Sequence, residues 1–333
     1  MAWNEWCPPE RRHGFDYWMA YGTYDNHLRP LYWSRDAGRD GFYYVNQWGP
    51  EYEANLAIQY LDSIRGSDKP FAMMVSMNPP HTGYELVPER YKELYRDLNV
   101  DSIAASLPQL QGQPKFAKLF KESLPNYYAC ITGVDEQFGR IVEALKRNGQ
   151  YDHTIVVFVS DHGDSMGLHE NIGKNIFYEE AVRIPFLLAY GDRIAPRVDN
   201  DLLISIEDFC PTILSLLGLK GRIPSTVQAR DLSEQVKGSR EQMPDGQLYM
   251  RYSAVDETGT NVDTGTRGSR TQRYTYAVRF ERGKVVERFL FDRQKDPAQL
   301  ENLVEKRLEV ADDLHGRMKK RLDEIHDPAA VFL

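Results

Sequence analysis

Thr154-Ile155-Val156-Val157-Phe158-Val159 runs directly into Ser160-Asp161-His162-Gly163-Asp164. The apolar part consists of β-branched and aromatic residues, which fit a pleated, buried surface. A short continuous run of this kind predicts a central parallel strand covered on both faces. The polar, turn-forming residues that follow end it abruptly. In open α/β sheets ligands bind beyond the carboxyl ends of strands, so chemistry is expected at this junction.

Upstream, Ile131, Val134, Phe138, Ile141, Val142 and Leu145 recur at helical spacing, and Asn148-Gly149 supplies the stop. Ala54, Ala57, Ile58, Leu61 and Ile64 predict an earlier helix. Between them, Phe71 to Met77 reads as a second strand buried on both faces, closing at Asn78-Pro79-Pro80-His81. Residues 88–124 are polar and helix-leaning. Downstream, Ile184 to Tyr190 predicts a strand, and Asp208 an N-cap for a helix that runs to Leu217 before Gly218. After Gly221 the texture changes. Residues 273–280 and 285–291 alternate polar and apolar around a turn at 281–284 and predict a hairpin. A closing helix is expected with Leu300, Val304, Leu308, Ala311, Leu314, Met318 and Leu322 on its stripe. The expected fold is α/β: a mixed, mostly parallel sheet flanked by helices over residues 1–220, then a small α+β subdomain (antiparallel hairpin plus helix) over 221–333.

Composition narrows the function. Of 333 residues, 41 are Lys or Arg and 49 Asp or Glu, a net charge of −8. That argues against nucleic-acid and membrane-surface binding, which leave a basic footprint. Cys7, Cys130 and Cys210 are too scattered for a disulfide framework or a cysteine-rich zinc site. No apolar run is long enough for a transmembrane helix, and Met1 to Trp6 does not have the pattern of a signal peptide. A soluble globular protein is expected. The Trp- and Tyr-rich residues from Trp3 to Trp48, among them Tyr17, Trp18, Tyr21 and Tyr24, are read as an ordered loop region whose aromatics either flank a sugar or aryl sulfate or, as the favoured reading, pack internally.

Asp161 offers the hard oxygen ligands that suit Ca²⁺ or Mg²⁺. The bland alternative is a polar turn that merely closes a strand, and by residue type alone the two readings stand level. His162, Asp164 and His169 do not have the spacing of a helical zinc pair. Lys174, further along the same loop, is able to set a point charge against an anion. No Walker loop, G-x-G-x-x-G run or legible Ser-His-Asp order is present.

These stretches have a known counterpart. Ser160 to Gly167, then Gly173-Lys174-Asn175, and Phe177 to Pro185 resemble the late signature of the type I sulfatases, members of the alkaline-phosphatase-like superfamily. Asn78-Pro79-Pro80-His81 resembles that family's Pro-Pro-His turn. Residues 127–145, 208–218 and 292–303 resemble further landmarks in the same order. The resemblance implies an alkaline-phosphatase-like fold and hydrolysis of sulfate esters of small molecules or carbohydrates. It implies Asp161 and His162 as ligands of a divalent cation, usually calcium with magnesium as the alternative. It implies His81 and Lys174 as catalytic, sulfate-contacting residues.

The family pattern also contains paired metal-binding aspartates on an early strand, a C-x-P-S-R nucleophile motif converted to formylglycine, and a G-K-W-H-type segment. None of these is found here. Cys7-Pro8-Pro9-Glu10-Arg11 formally fits C-x-P-x-R, but a loop-like stretch follows where the family has a helix, so the match is read as coincidence. The expectation is an N-terminally truncated or split sulfatase with little activity alone, whose formylglycine lies on a missing N-terminal segment. A separate N-terminal fragment or a second copy of the chain is the expected protein partner. Two alternatives stay open: a non-catalytic sulfatase-like binding module, and a phosphonate monoester or phosphodiester hydrolase of the same superfamily.

Overall fold

The computed structural model describes residues 6–22, 25–252 and 262–333. Trp3 and Tyr24, and the first residues of the supposed loop region, lie outside them. The chain divides into two compact units, residues 1–106 with 111–155, and residues 107–110 with 156–333.

In the first unit, β1 (Met19–Tyr21), β2 (Leu31–Ser34) and β3 (Tyr43–Tyr44) form a small antiparallel sheet in the order β1-β2-β3. Four helices follow: α1 (Gly49–Ser63), α2 (Glu89–Lys92), α3 (Val100–Ser106) and α4 (Pro114–Arg147). The stretch read as loop thus contains a sheet, and its aromatics pack only in part: Tyr17 is exposed and Trp18 and Tyr21 are half-buried, whereas others reach the core. Leu31, Tyr32 and Trp33 are buried, and Trp48 joins Val87, Tyr91, Ala129 and Cys130 in one core cluster. Gly133 of α4 sits under the Trp48 ring; a Cβ there would lie 2.5 Å from it. Helix α4 begins well before the periodic residues that predicted it and carries Pro125 inside. One proline removes a single i to i−4 bond, which the packed face on either side outweighs. Asn148 and Gly149, the latter at φ +70°, close the helix as expected.

Phe71–Met77 departs from expectation. It belongs to no strand, and exposure alternates along it, with Met74 78% exposed. A strand needs a ladder partner to satisfy its backbone, and these residues have none among those described.

The second unit opens with β4 (Val156–Val159), α5 (Glu179–Val182) and β5 (Phe186–Ala189). The existence of β4 and β5 matches the sequence reading, but their setting does not. They pair antiparallel with each other, Val156 opposite Ala189 and Val159 opposite Phe186. Among the described residues, parallel pairing is confined to an isolated bridge between Tyr190 and Asp192. Val159 and Leu187 are exposed, so this ribbon is not the doubly covered strand that the apolar run suggested.

Asp208 holds the N-cap position of helix α6 (Phe209–Leu216), as expected but without a side-chain cap bond, and a 3-10 turn at Ile206–Asp208, capped by Ser205, leads into it. Ser205 N–H and Asp208 face each other in a capping box. Asp208 is buried and takes Arg230, whose Nη2 donates to it at 2.9 Å. After α7 (Ser233–Lys237), the expected hairpin proves to be half of a four-stranded antiparallel sheet. Its strands are β6 (Gln247–Tyr252), β7 (Gly265–Arg270), β8 (Tyr274–Glu281) and β9 (Lys284–Asp292), in that order. One face carries Tyr276, Val278 and Leu290 against Ala311, Leu314, Met318 and Leu322 of α8 (Leu308–Glu324). Leu300 and Val304, assigned to that helix by periodicity, precede it. The turn region after β9, where Asp292 and Asp296 accept nearby backbone N–H groups, delays its start. The other face carries Ala277 and Phe291 against Phe177, which lies in the loop after Lys174.

Candidate active site

Asp161 and His162 follow β4 directly. His162 Nδ1 lies 2.7 Å from the carbonyl oxygen of Gly163, so that nitrogen carries the proton and donates it. Nε2 of the ring lies 3.3 Å from Asp161 Oδ2. At that distance the two groups share a proton as an ion pair or hold a cation between them. The other Asp161 oxygen accepts the backbone N–H of His162 at 2.9 Å. The Asp161 side chain is 82% exposed. The pair therefore fits a hard divalent ion, but as two ligands of the six to eight that calcium takes. No cluster of three or more His, Cys, Asp or Glu suited to a metal occurs among the described residues. Asp164 is occupied otherwise, its Oδ1 accepting from Met166 N at 2.8 Å.

The loop from 163 to 178 is tied to itself at several points. Gly163 N donates to Ala181 O, and Ser165 N to Gly173 O, both at 2.8 Å. The second tie brings Gly173, the neighbour of the half-buried Lys174, against Ser165. Met166, His169 and Glu170 all take positive φ, a conformation that must be held by its surroundings. His169 does the holding. Its ring stacks on Tyr178 with centroids 3.6 Å apart and planes 8° apart. Its Nε2 lies 3.2 Å from Glu180 Oε1, although neither atom makes an aligned hydrogen bond. Tyr178 in turn packs on Phe291, and Phe177 on Phe289 and Phe291. The loop bearing Lys174 is thus pinned to the four-stranded sheet. Sequence spacing considered His169 only as a zinc ligand; the aromatic residues at 177–178 were the available signal of a buried anchor. Replacing His169 by Ala removes the stacking and leaves the Glu180 carboxylate buried alone. This should cost about 2 kcal/mol in denaturant unfolding.

His81 belongs to the first unit and is described within it. Its Nδ1 faces Asp25 Oδ2 at 3.5 Å and Thr82 Oγ1 at 3.3 Å. Beneath it lies His27, which the sequence reading did not single out. His27 Nε2 is 3.2 Å from the Thr82 carbonyl and 3.4 Å from that of His81, so Nε2 carries the proton. Nδ1 accepts from Asn78 Nδ2 at 3.4 Å. Burial holds His27 below the usual histidine range, partly offset by those carbonyls, which keeps it a neutral brace for the turn. Nearby Glu53 is pushed up to about 7 by burial, against the opposing pull of the Tyr32 hydroxyl that donates to it at 2.8 Å.

Cys7 is followed by a single 3-10 turn, Pro9–Arg11, and its carbonyl accepts from the Arg12 guanidinium. A nucleophile poised at the start of a helix is not what these residues build. No helix among the described residues is long and apolar enough to cross a membrane.

Comparison with known proteins agrees with this architecture. The Sulfatase family model matches residues 2–219, and the model for the C-terminal part of N-sulphoglucosamine sulphohydrolase matches residues 167–327. The chain is 38% identical to an endo-4-O-sulfatase of Bacteroides thetaiotaomicron, over 98% of its own length and 66% of the relative's. It is 31% identical to an ulvan-active sulfatase of Formosa agariphila, over 97% of its length and 61% of the relative's. It therefore spans about two thirds of these relatives. A solved structure from Bacteroides fragilis, described as the sulfatase yidJ, superposes with a TM-score of 0.93 at 50% identity. That match covers 99% of this chain and 70% of the other. A phosphonate monoester hydrolase of Agrobacterium radiobacter, at 24% identity and a TM-score of 0.63, shares the fold. From the signature loop after β4 to the sheet that anchors it, the chain belongs to the sulfatase family, with the alkaline-phosphatase-like fold.

Proposed function

We propose that this chain carries the cation-binding and sulfate-contacting half of a site that hydrolyses sulfate esters on carbohydrates. The observation that supports this most directly is the Asp161–His162 pair, 3.3 Å apart directly after β4, in a loop whose Ser165 N–H is tied to the carbonyl of Gly173, the neighbour of Lys174. The names of the relatives, an endo-4-O-sulfatase and an ulvan-active sulfatase, favour a sulfated polysaccharide or oligosaccharide as substrate. In this reading Asp161 and His162 hold calcium, which when bound neutralises and orients a sulfate oxygen. Lys174 sets a positive charge against the ester, where negative charge develops. His81, steadied on its Nδ1 side by Asp25, exchanges a proton with the leaving oxygen. The nucleophile, a formylglycine in the resemblance, is supplied from outside these 333 residues, on the same or a separate polypeptide. Residues 1–220 act as the catalytic portion, and 221–333 buttress the Lys174 loop.

The test is calcium-dependent binding of an O-sulfated oligosaccharide, followed by titration calorimetry. Binding of the ion alone should be weak because two ligands make an incomplete shell. Asp161→Ala should abolish it, and Lys174→Ala should weaken sugar binding at least about tenfold. Turnover of an aryl sulfate by the 333 residues should fall several orders of magnitude below an ordinary sulfatase, since loss of the nucleophile alone costs that much. Micromolar calcium affinity, turnover at ordinary enzyme rates, or a preference for a phosphodiester would each overturn the reading.

A further inference from the structure

The segment after the Lys174 loop ends in a charge cluster that the sulfatase reading does not use. Glu179 is gripped by both arms of Arg270, whose Nε donates to Oε1 at 2.7 Å and whose Nη2 donates to Oε2 at 2.8 Å. Arg293 Nη1 approaches Oε2 at 3.4 Å. Arg183 acts electrostatically on both Glu179 and Arg293, and has no ion-pair partner of its own among the described residues. The other acceptors in reach are neutral: Gln247 Oε1 for Arg270, and the Thr271 carbonyl for Arg293. Two guanidinium groups thus contact one carboxylate, and Arg183 adds a third positive charge to its surroundings.

Two buried donors in this cluster have no acceptor, Arg293 Nε and Gln299 Nε2. Gln299 is 1% exposed, and its Oε1 accepts the N–H of Glu179 at 2.9 Å, so its amide lies against the same residue. Burial first, then Arg270 and Arg183, hold Arg293 below the usual arginine range, and Glu179 offsets only part of this. Unsatisfied buried donors are costly, and beside surplus positive charge the acceptor they favour is an anion.

We propose that Arg270, Arg293 and Gln299, with the exposed Arg183 adding positive charge, form a binding site for a small tetrahedral oxyanion, which locks the Lys174 loop onto the sheet. Guanidinium forks suit such an anion better than a point charge does. The site goes beyond the hydrolase reading and does not depend on it.

Thermal unfolding of the full chain in millimolar sodium sulfate, against sodium chloride at matched ionic strength, tests the site. A saturable rise in Tm of about 3 °C or more is expected with sulfate only. Arg183→Gln, at an exposed position, should weaken the apparent affinity about tenfold. Gln299→Glu keeps an acceptor for Glu179 N–H and places a built-in anion in the site, so it should abolish the sulfate response while the protein remains folded. Lys174→Ala should respond like the parent, which separates this site from the proposed catalytic one. Sodium phosphate distinguishes the two oxyanions: a smaller shift assigns sulfate, and an equal shift a site for either. A shift that chloride reproduces, that survives both cluster variants, or that disappears with Lys174 would overturn the proposal.

Discussion

Asp327→Ala should be the most destabilising single truncation in the C-terminal sheet, at about 3–5 kcal/mol. Arg267 lies on β7 with its side chain 0% exposed, and Asp327 opposite is 1% exposed. Nε and Nη2 of Arg267 donate to the two carboxylate oxygens at 2.5 and 3.1 Å. The guanidinium also lies over the Tyr252 ring, 4.4 Å from its centroid. Removing the carboxylate strands a buried cation, which costs more than the pair itself contributes. The double variant Arg267→Met with Asp327→Leu should therefore recover much of the loss, and chemical denaturation of all three proteins checks this. The same pair predicts a pH dependence. Burial alone would raise the Asp327 carboxyl, but the hydrogen bond from Arg267 and the N–H of Ala329 hold it below its usual range. A carboxyl depressed in the folded state contributes stability that is fully present above its unfolded value, about 3.9, and is lost as pH falls through the folded value. The parent should lose stability more steeply than Asp327→Ala below about pH 4.

Gly163→Ala should disable the candidate site from within. A Cβ at Gly163 would lie 2.0 Å from the carbonyl oxygen of Glu180, and that oxygen belongs to backbone that no rotamer change relieves. The hydrogen bond from Gly163 N to Ala181 O, 2.8 Å long, would have to open. The expected cost is about 3 kcal/mol, together with loss of any calcium response at Asp161 and His162. Gly139→Ala on α4 is the matched control, because nothing lies within 4 Å of its added methyl. It should stabilise the protein by about 0.5–1 kcal/mol through helix propensity. A Gly163→Ala protein that melts with the parent would show that the loop tolerates displacement and that its ties are dispensable.

Local pattern was enough to locate several elements. The apolar run at 154–159 produced β4, the period through Ile131 to Leu145 lies within α4, and alternation at 273–291 marked β8 and β9. These signals succeed because burial of one face imposes a repeat on the side chains themselves. Strand β7 left no such mark. Gly265-Thr266-Arg267-Gly268-Ser269-Arg270 has no apolar side chain, yet all but the last are buried. It is a strand because its neighbours on both sides supply the ladder, and Asp327, distant in sequence, supplies the counter-charge.

What the amino-acid sequence determined by itself was the chemistry on offer: Asp161 and His162 after a strand, Lys174 in the following loop, His81 at a Pro-Pro turn, and a family signature running through them. Residue type and order carry that information, because ligand hardness, charge and hydrogen-bonding capacity belong to the side chain. What only the tertiary structure decided was orientation and partnership. It set the tautomer of His162 through the Gly163 carbonyl, stacked His169 on Tyr178, paired β4 with β5 in antiparallel register, and set two arginines against Glu179. Each of these depends on groups brought together from separate parts of the chain or on the direction a backbone dipole takes, and no pattern of residue types along a line encodes either.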